Sequence, residues 1–234
     1  MIFQLEENKI EIEVIYRKRK NVSIQVDING GVKVIAPPNV TQKRILEILD
    51  NNKLWVSKKL NEMKEISSKK IIRKPIDGEK YLYLGKNYTV KINLIYTKKI
   101  TINISGENLV INTYTKGEQT LKLALEKWYR EKTLCLAIER IDNYKHLFKD
   151  KVRYIKSKEQ KKRWASCTGN NDILFNWRLS MAPLEVFDYI VIHEMCHMEH
   201  RNHGKYFWKA VYNIMPNYKE SEKYLKENGM NLSI

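Results

Sequence analysis

Residues 184–204 read LEVFDYIVIHEMCHMEHRNHG, and the fold is decided there. Leu184, Val186, Phe187, Ile190, Val191 and Ile192 set apolar side chains almost all round a helix, which predicts a deeply buried one. Pro183 suits the start of that helix, with Ser180 or Met181 just outside it. Into this apolar helix the chain inserts His193, Glu194 and His197. Leaving such groups unpartnered in a core is expensive, and a bound metal removes the cost.

The spacing supports that reading. Helical positions four apart share a face with Cβ atoms about 6 Å apart, so the His193 and His197 imidazoles can converge on one tetrahedral cation. Glu194 sits one step round, off the ligand face but within reach of water at the metal, as a general base requires. Four of the five histidines (His193, His197, His200 and His203) fall within this run. Three ligands on one straight helix at i, i+4 and i+7 splay too far to close a tetrahedron. A break over Arg201–Gly204 is therefore expected to swing His203 in as third ligand, with Asn202 and Gly204 tolerating left-handed backbone. His200 then stands behind the ligands, supporting them, or faces solvent. Cys196 points away from the ligand face and reads as buried filler. One Zn²⁺ per chain is expected, and spacing does not exclude another divalent metal.

Outward from the motif, Val152–Ile155 and Ile173–Leu179 read as strands separated by the loop KEQKKRWASCTGNND. A long helix is expected from Glu118 to about Phe148, preceded by strands at Tyr81–Leu84, Tyr88–Ile95, Ile100–Ile104 and Leu109–Tyr114. Lys20–Pro38 alternates as a hairpin turning through Asp27 to Gly31. Val40–Glu65 changes to helical period behind the N-cap candidate Thr41, with Ile45, Leu46, Leu49, Trp55, Val56 and Leu60 on its apolar face. Ser67–Lys74, with Pro75, Asp77 and Gly78, reads as a linker. The expected class is α+β, with a strand-rich region containing one helix over 1–117 and a helix-dominated core with a small sheet over 118–234. KNVSIQV at Lys20 and KKITINI at Lys98 echo each other, and each hairpin precedes a helix. No fixed period extends the echo, so it reads as coincidence between amphipathic hairpins.

The 234 residues, 27.9 kDa, suffice for one large or two small domains. The net charge is +16, an excess that attracts polyanions such as nucleic acid or that simply reflects a Lys-, Ile- and Asn-rich composition. No apolar stretch approaches the ~20 residues of a bilayer helix, so no membrane is expected as partner. No secretory signal is visible. Three scattered cysteines argue against a disulfide framework, and a cytoplasmic setting is the default expectation.

VIHEMCHMEHRNHGKYFW resembles the signature of the YgjP-like metallopeptidase family, related to SprT-like zinc proteases. QKKRWASC (Gln160–Cys167), ILFNWRLSMAP (Ile173–Pro183) and MPNYK (Met215–Lys219) resemble further family blocks, with Ala165 where Gly is common and Gly204 where Ser is more frequent. RKRKNVSIQVDINGGVKVIAPPNV and DGEKYLYLGKNYTVKI extend the resemblance over nearly the whole chain. It implies a zincin-like hydrolase core with His193, His197 and His203 as zinc ligands and Glu194 as catalytic base. Some members carry a nucleotide (UTP) pyrophosphatase label, so the fold leaves the substrate open.

Arg163, Trp164, Asn176, Trp177 and Arg178 flank the motif and are candidates for the cleft wall. Packing is the simpler role for the two tryptophans, whereas a guanidinium near the metal suits a carboxylate or phosphate. If Ile173–Leu179 is an edge strand, a peptide can bind by strand addition. Phe207 and Trp208 read as aromatics fixing the turn. Three functions follow: a zinc peptidase cutting peptide or protein, a metal-dependent nucleotide pyrophosphatase, and a nucleic-acid-associated protein with a zinc site. Basic runs at Lys156–Arg163, Arg17–Lys20 and Lys69–Lys74 motivate the last.

Overall fold

The computed structural model describes residues 1–5, 8–27, 29–68 and 71–234, and leaves out the side chain of Ile66. Ile28, in the turn expected from Asp27 to Gly31, lies outside the described residues. So do Lys69 and Lys70, in the expected linker and basic run. The class is α+β, and the chain divides into two compact units, Met1–Ile71 and Ile72–Ile234.

The first unit holds strands β1 (Ile2–Leu5), β2 (Asn8–Tyr16), β3 (Ser23–Val26) and β4 (Val32–Ala36), then helices α1 (Gln42–Asn51) and α2 (Lys53–Ser68). Alternating Phe3, Leu5, Ile12, Val32 and Val34 face Ile45, Leu49 and Val56 in one core. Thr41 caps α1, its Oγ1 accepting the Arg44 N–H at 3.3 Å. The single helix expected over Val40–Glu65 is two. Asn52 ends the first, its side-chain amide donating to the Ile48 carbonyl at 2.7 Å with φ −112°. Trp55 also departs from expectation and is exposed.

The second unit begins with β5 (Lys80–Tyr83), β6 (Lys86–Leu94), β7 (Thr101–Ser105) and β8 (Asn108–Thr113), followed by α3 (Glu118–Tyr144). A three-stranded sheet of β9 (Tyr154–Lys158), β10 (Ala165–Cys167) and β11 (Asp172–Asn176) comes next. A 3-10 turn (Trp177–Met181) then leads to α4 (Leu184–Glu199), α5 (Lys205–Ile214) and α6 (Tyr218–Asn228). Tyr81, Leu109 and Ile111 share one core with Leu121, Leu125 and Tyr129 of α3 and with Phe187 and Val191 of α4. Strands 80–113 therefore belong with the C-terminal helices, and the units divide at 71/72, not at 117/118 as the strand-to-helix transition suggested.

The echo between the two hairpins is a structural repeat, not a coincidence. Both four-stranded sheets have the same order, β1-β2-β4-β3 and β5-β6-β8-β7, with a parallel central pair and antiparallel outer pairs. Adding 78 to the residue number carries β1 and β2 onto β5 and β6. The same shift turns the Phe3–Ile10 pair into Tyr81–Tyr88. Adding 78 carries β3 onto Thr101–Ile104 of β7 and adding 77 carries β4 onto Leu109–Thr113 of β8, so Ile24–Val34 becomes Ile102–Ile111. Adding 76 carries the first residue of α1 onto that of α3, and buried Ile45 and Leu49 onto Leu121 and Leu125.

The second copy holds the entry to α4. At the β5–β6 turn, Leu84 N–H donates to the Ser180 carbonyl at 2.8 Å and Gly85 N–H to the Met181 carbonyl at 3.0 Å. Gly85 has φ +76° and a Cβ there would stand 2.9 Å from Pro183 Cγ, so only glycine fits. Thr133 of α3 braces the same turn, its hydroxyl donating to the Trp177 carbonyl at 2.7 Å.

Candidate metal centre

Helix α4 is buried almost continuously from Val186 to Ile192. Its one buried acid before the motif, Asp188, takes a two-pronged ion pair from Arg140 of α3, Nε–Oδ1 2.6 Å and an Nη–Oδ2 contact of 2.8 Å. The helix stops at Glu199, and His200 is extended at φ −125°, ψ 92°. The chain then turns through Arg201–Gly204 into α5. Neither Asn202 nor Gly204 takes the left-handed backbone expected of this break. Instead Gly204 is extended and its N–H donates to Asn202 Oδ1 at 3.2 Å. A Cβ on Gly204 would stand 3.0 Å from that oxygen, a contact a small shift of the Asn202 side chain relieves.

The break brings His203 back to the helix. His203 Nε2 lies 3.1 Å from both His193 Nε2 and His197 Nε2, and the three residues can each offer a ligand atom within 4.8 Å of the others. Arms of about 2.0–2.1 Å in a tetrahedron put ligand atoms roughly 3.3 Å apart, so the spacing fits a zinc-sized cation. The tautomer fits as well. His197 Nδ1 is 2.9 Å from the His200 carbonyl; a carbonyl only accepts, so Nδ1 carries the proton and Nε2 presents its lone pair to the centre. His200 thus contributes through its main chain. Burial pushes His193 down to about 3, with His197 and His203 adding to the effect, and burial also lowers His197. Neutral imidazoles are what a cation needs. Phe207 floors the cluster, stacked on His197 at 4.4 Å, with Trp208 against His203 at 5.7 Å.

The three imidazoles open into a cleft of about 550 Å³ that Glu194, Arg163, Trp164 and strand β10 also line. Burial raises Glu194 to about 7, against the opposing pull of the Cys167 backbone N–H and the Arg163 charge. Cys196 is buried away from the cleft with its thiol pushed up to about 12 by burial.

The other candidates separate. Arg163 and Trp164 line the cleft; Asn176 and Arg178 do not. Asn176 is buried and holds the preceding loop, donating to the Gln160 and Arg163 carbonyls at 2.8 and 3.1 Å. Arg178 is bound to Glu159 at 2.6 Å and lies over the Trp177 ring. Ile173–Leu179 is not an edge strand: β11 is central, and the edge at the cleft is β10. Two contributors escaped the sequence reading. Arg201 ties the His203 turn to the β10–β11 loop through the Thr168 carbonyl at 2.8 Å and Asn171 Oδ1 at 2.7 Å. Tyr189 sits 3.5 Å from His193 Nδ1 and donates to Glu222 at 3.1 Å. Arg201 lay inside the motif, where its position alone was a signal; Glu222 carried none.

Among the described residues no helix is long and apolar enough to cross a membrane. A comparison with curated proteins finds no match. The family model for the YgjP-like metallopeptidase domain matches residues 20–228, which spans both units and the whole histidine cluster. The chain belongs to the YgjP-like family, and with it come a metal cofactor and metal-dependent peptide hydrolysis as the general activity.

Proposed function

We propose that this chain is a zinc peptidase in which His193, His197 and His203 hold the ion and Glu194 moves the proton. The observation that carries this is the meeting of three imidazoles, with His203 Nε2 3.1 Å from the Nε2 of each of the other two, beside a buried carboxylate in one cleft. When bound, a zinc ion supplies Lewis acidity, polarising a carbonyl oxygen and acidifying water toward neutral pH. The Glu194 carboxylate accepts the proton of the attacking water and returns it to the leaving amine nitrogen. The His200 carbonyl holds the His197 ring by its Nδ1–H, and Phe207 stacked beneath fixes its plane.

Peptide binding follows from the sheet. Among the described residues β10 pairs with β11 on one side only, and its other edge borders the cleft, so an extended substrate adds there as a further strand. Arg163, at the mouth of the same cleft, suits a substrate carboxylate. Nucleotide hydrolysis is the weaker reading because Arg178, one of the two guanidinium candidates for phosphate, is committed to Glu159.

The test is to incubate zinc-loaded protein separately with casein and with UTP. New peptide termini that vanish when zinc is stripped with dipicolinate support the proposal. Pyrophosphate without peptides refutes it.

A further inference from the structure

A groove outside the metal cleft recurs in both copies of the repeat. In the second copy it runs between β7 and α3, with a volume of about 700 Å³, and includes Ile100, Ile102, Ala124, Trp128 and Glu131. In the first copy a smaller groove, about 230 Å³, is lined by Val22, Ile24, Ile48, Asn52 and Trp55. These are the same positions: a shift of 78 carries the two strand-side residues across, and a shift of 76 carries the three on the helical side, Ile48, Asn52 and Trp55. A hollow that reappears at matched positions of two diverged copies is a property of the module and not an accident of one surface.

The second groove has the chemistry of a strand acceptor. β7 is the last strand of its sheet, and no other strand pairs with its outer edge among the described residues, which leaves alternate main-chain N–H and C=O groups facing the groove. Ile100, Ile102 and Trp128 give it an apolar floor, and Leu123, 58% exposed, stands on the helical wall. Lys99 and Lys127 also line it, and neither makes an ion pair among the described residues; Glu131 is the one acid in the lining. Trp128 is ill placed to stack on a nucleic-acid base. It is 7% exposed, its ring packed against Tyr83 and Tyr129 with Lys132 over it.

We propose that the β7–α3 groove docks an extended segment of a protein partner, paired along β7, with apolar side chains on the floor and acidic ones toward Lys99 and Lys127. Five strand residues span about 17 Å, so five or six residues of the partner fill it. The site is separate from the metal cleft and does not depend on the zinc reading.

The probe is a fluorescein-labelled eight-residue peptide of alternating valine and glutamate, added to the full chain. Polarisation is read for binding, and hydrogen exchange with mass spectrometry locates it. The expected result is saturable binding that slows exchange over Thr101–Ser105. Lys99→Glu with Lys127→Glu, and separately Leu123→Asp, weaken it by at least about tenfold, or ~1.4 kcal/mol. All three sites are at the surface, and far-UV circular dichroism checks that the variants fold. Equal binding of a peptide with proline at alternate positions overturns strand pairing. Protection at Ala165–Cys167 instead of β7 overturns the location. Tighter binding of an eight-nucleotide thymidine oligomer that protects the same strand overturns the proposal in favour of a nucleic-acid site.

Discussion

Replacing Asp188 by alanine leaves the Arg140 guanidinium in the core without its partner. The side chains of the pair are 17% and 10% exposed, and the contacts at 2.6 and 2.8 Å are both well formed. Breaking a buried ion pair from one side costs about 3–5 kcal/mol, and residual solvent access to Arg140 places this one near the lower bound, about 3 kcal/mol. The remaining neighbours, exposed Glu139 at 3.6 Å and the Tyr144 hydroxyl at 3.5 Å, are too distant to replace a two-pronged carboxylate. At about 2–4 °C per kcal/mol for a unit of this size, the melting temperature falls by roughly 6–12 °C. The double variant Arg140→Met, Asp188→Leu removes both charges and keeps apolar volume, so it recovers most of the loss. Urea unfolding of wild type, Arg140→Met, Asp188→Leu and the double variant measures the cycle, with Asp188→Ala alongside. A loss under about 1 kcal/mol for Asp188→Ala, or a double variant as unstable as the two singles summed, would show that the pair is not what steadies α4.

Three further predictions concern the cleft and its frame. His203→Ala loses both zinc and turnover after dialysis; His200→Ala keeps both, because the contact to His197 comes from the main chain; and Glu194→Gln keeps zinc but loses about 10²–10⁴ in kcat. Zinc lost from His200→Ala but kept by His203→Ala overturns the ligand set. Gly229→Ala pushes a Cβ to 2.7 Å from Trp164 Cζ2, so the indole in the cleft wall shifts, tryptophan emission changes and KM rises; unchanged emission and KM refute this. Burial raises Glu159, but hydrogen bonds from Arg178 and Trp177 outweigh it and hold the folded carboxyl below its ordinary 4.5. Its stabilising contribution is therefore complete above about pH 4.5 and is lost as acid titrates the folded group, so Glu159→Gln flattens the acid limb of the stability curve. An acid limb identical to that of wild type refutes the pairing.

How much of this was legible in the sequence depended on how local the cause was. His193 and His197 are one helical turn apart, so their shared face follows from 3.6 residues per turn, and the return of His203 follows from the impossibility of a straight third ligand. Asn176 and Arg178 were read toward the cleft because they are near it in sequence, but their partners are Gln160 and Glu159 on the preceding loop. Strand β10 is three residues long inside a basic loop and has too little alternation to announce itself. The repeat was hidden for a different reason. Its copies share alternation and register but few identities, and one loop and one helix start slip by a residue each, so no constant period exists to find. The unit boundary was missed because a change from strands to helix marks a change of element, whereas a domain ends where the core ends.

The clamp at Leu84 and Gly85 sets an alignment tolerance. It grips the chain just before Leu184, and His193 lies nine residues further along α4, about 14 Å at 1.5 Å per residue. Over that arm a tilt of one degree at the origin moves the imidazole by about 0.2 Å, which is already the latitude that the ligation proposed for His193 allows. The turn of a small sheet is thus the fixed end of a lever whose free end must be placed to a fraction of an ångström. A substitution at Gly85, remote from the cleft in sequence, would be read out as misalignment of the three nitrogens.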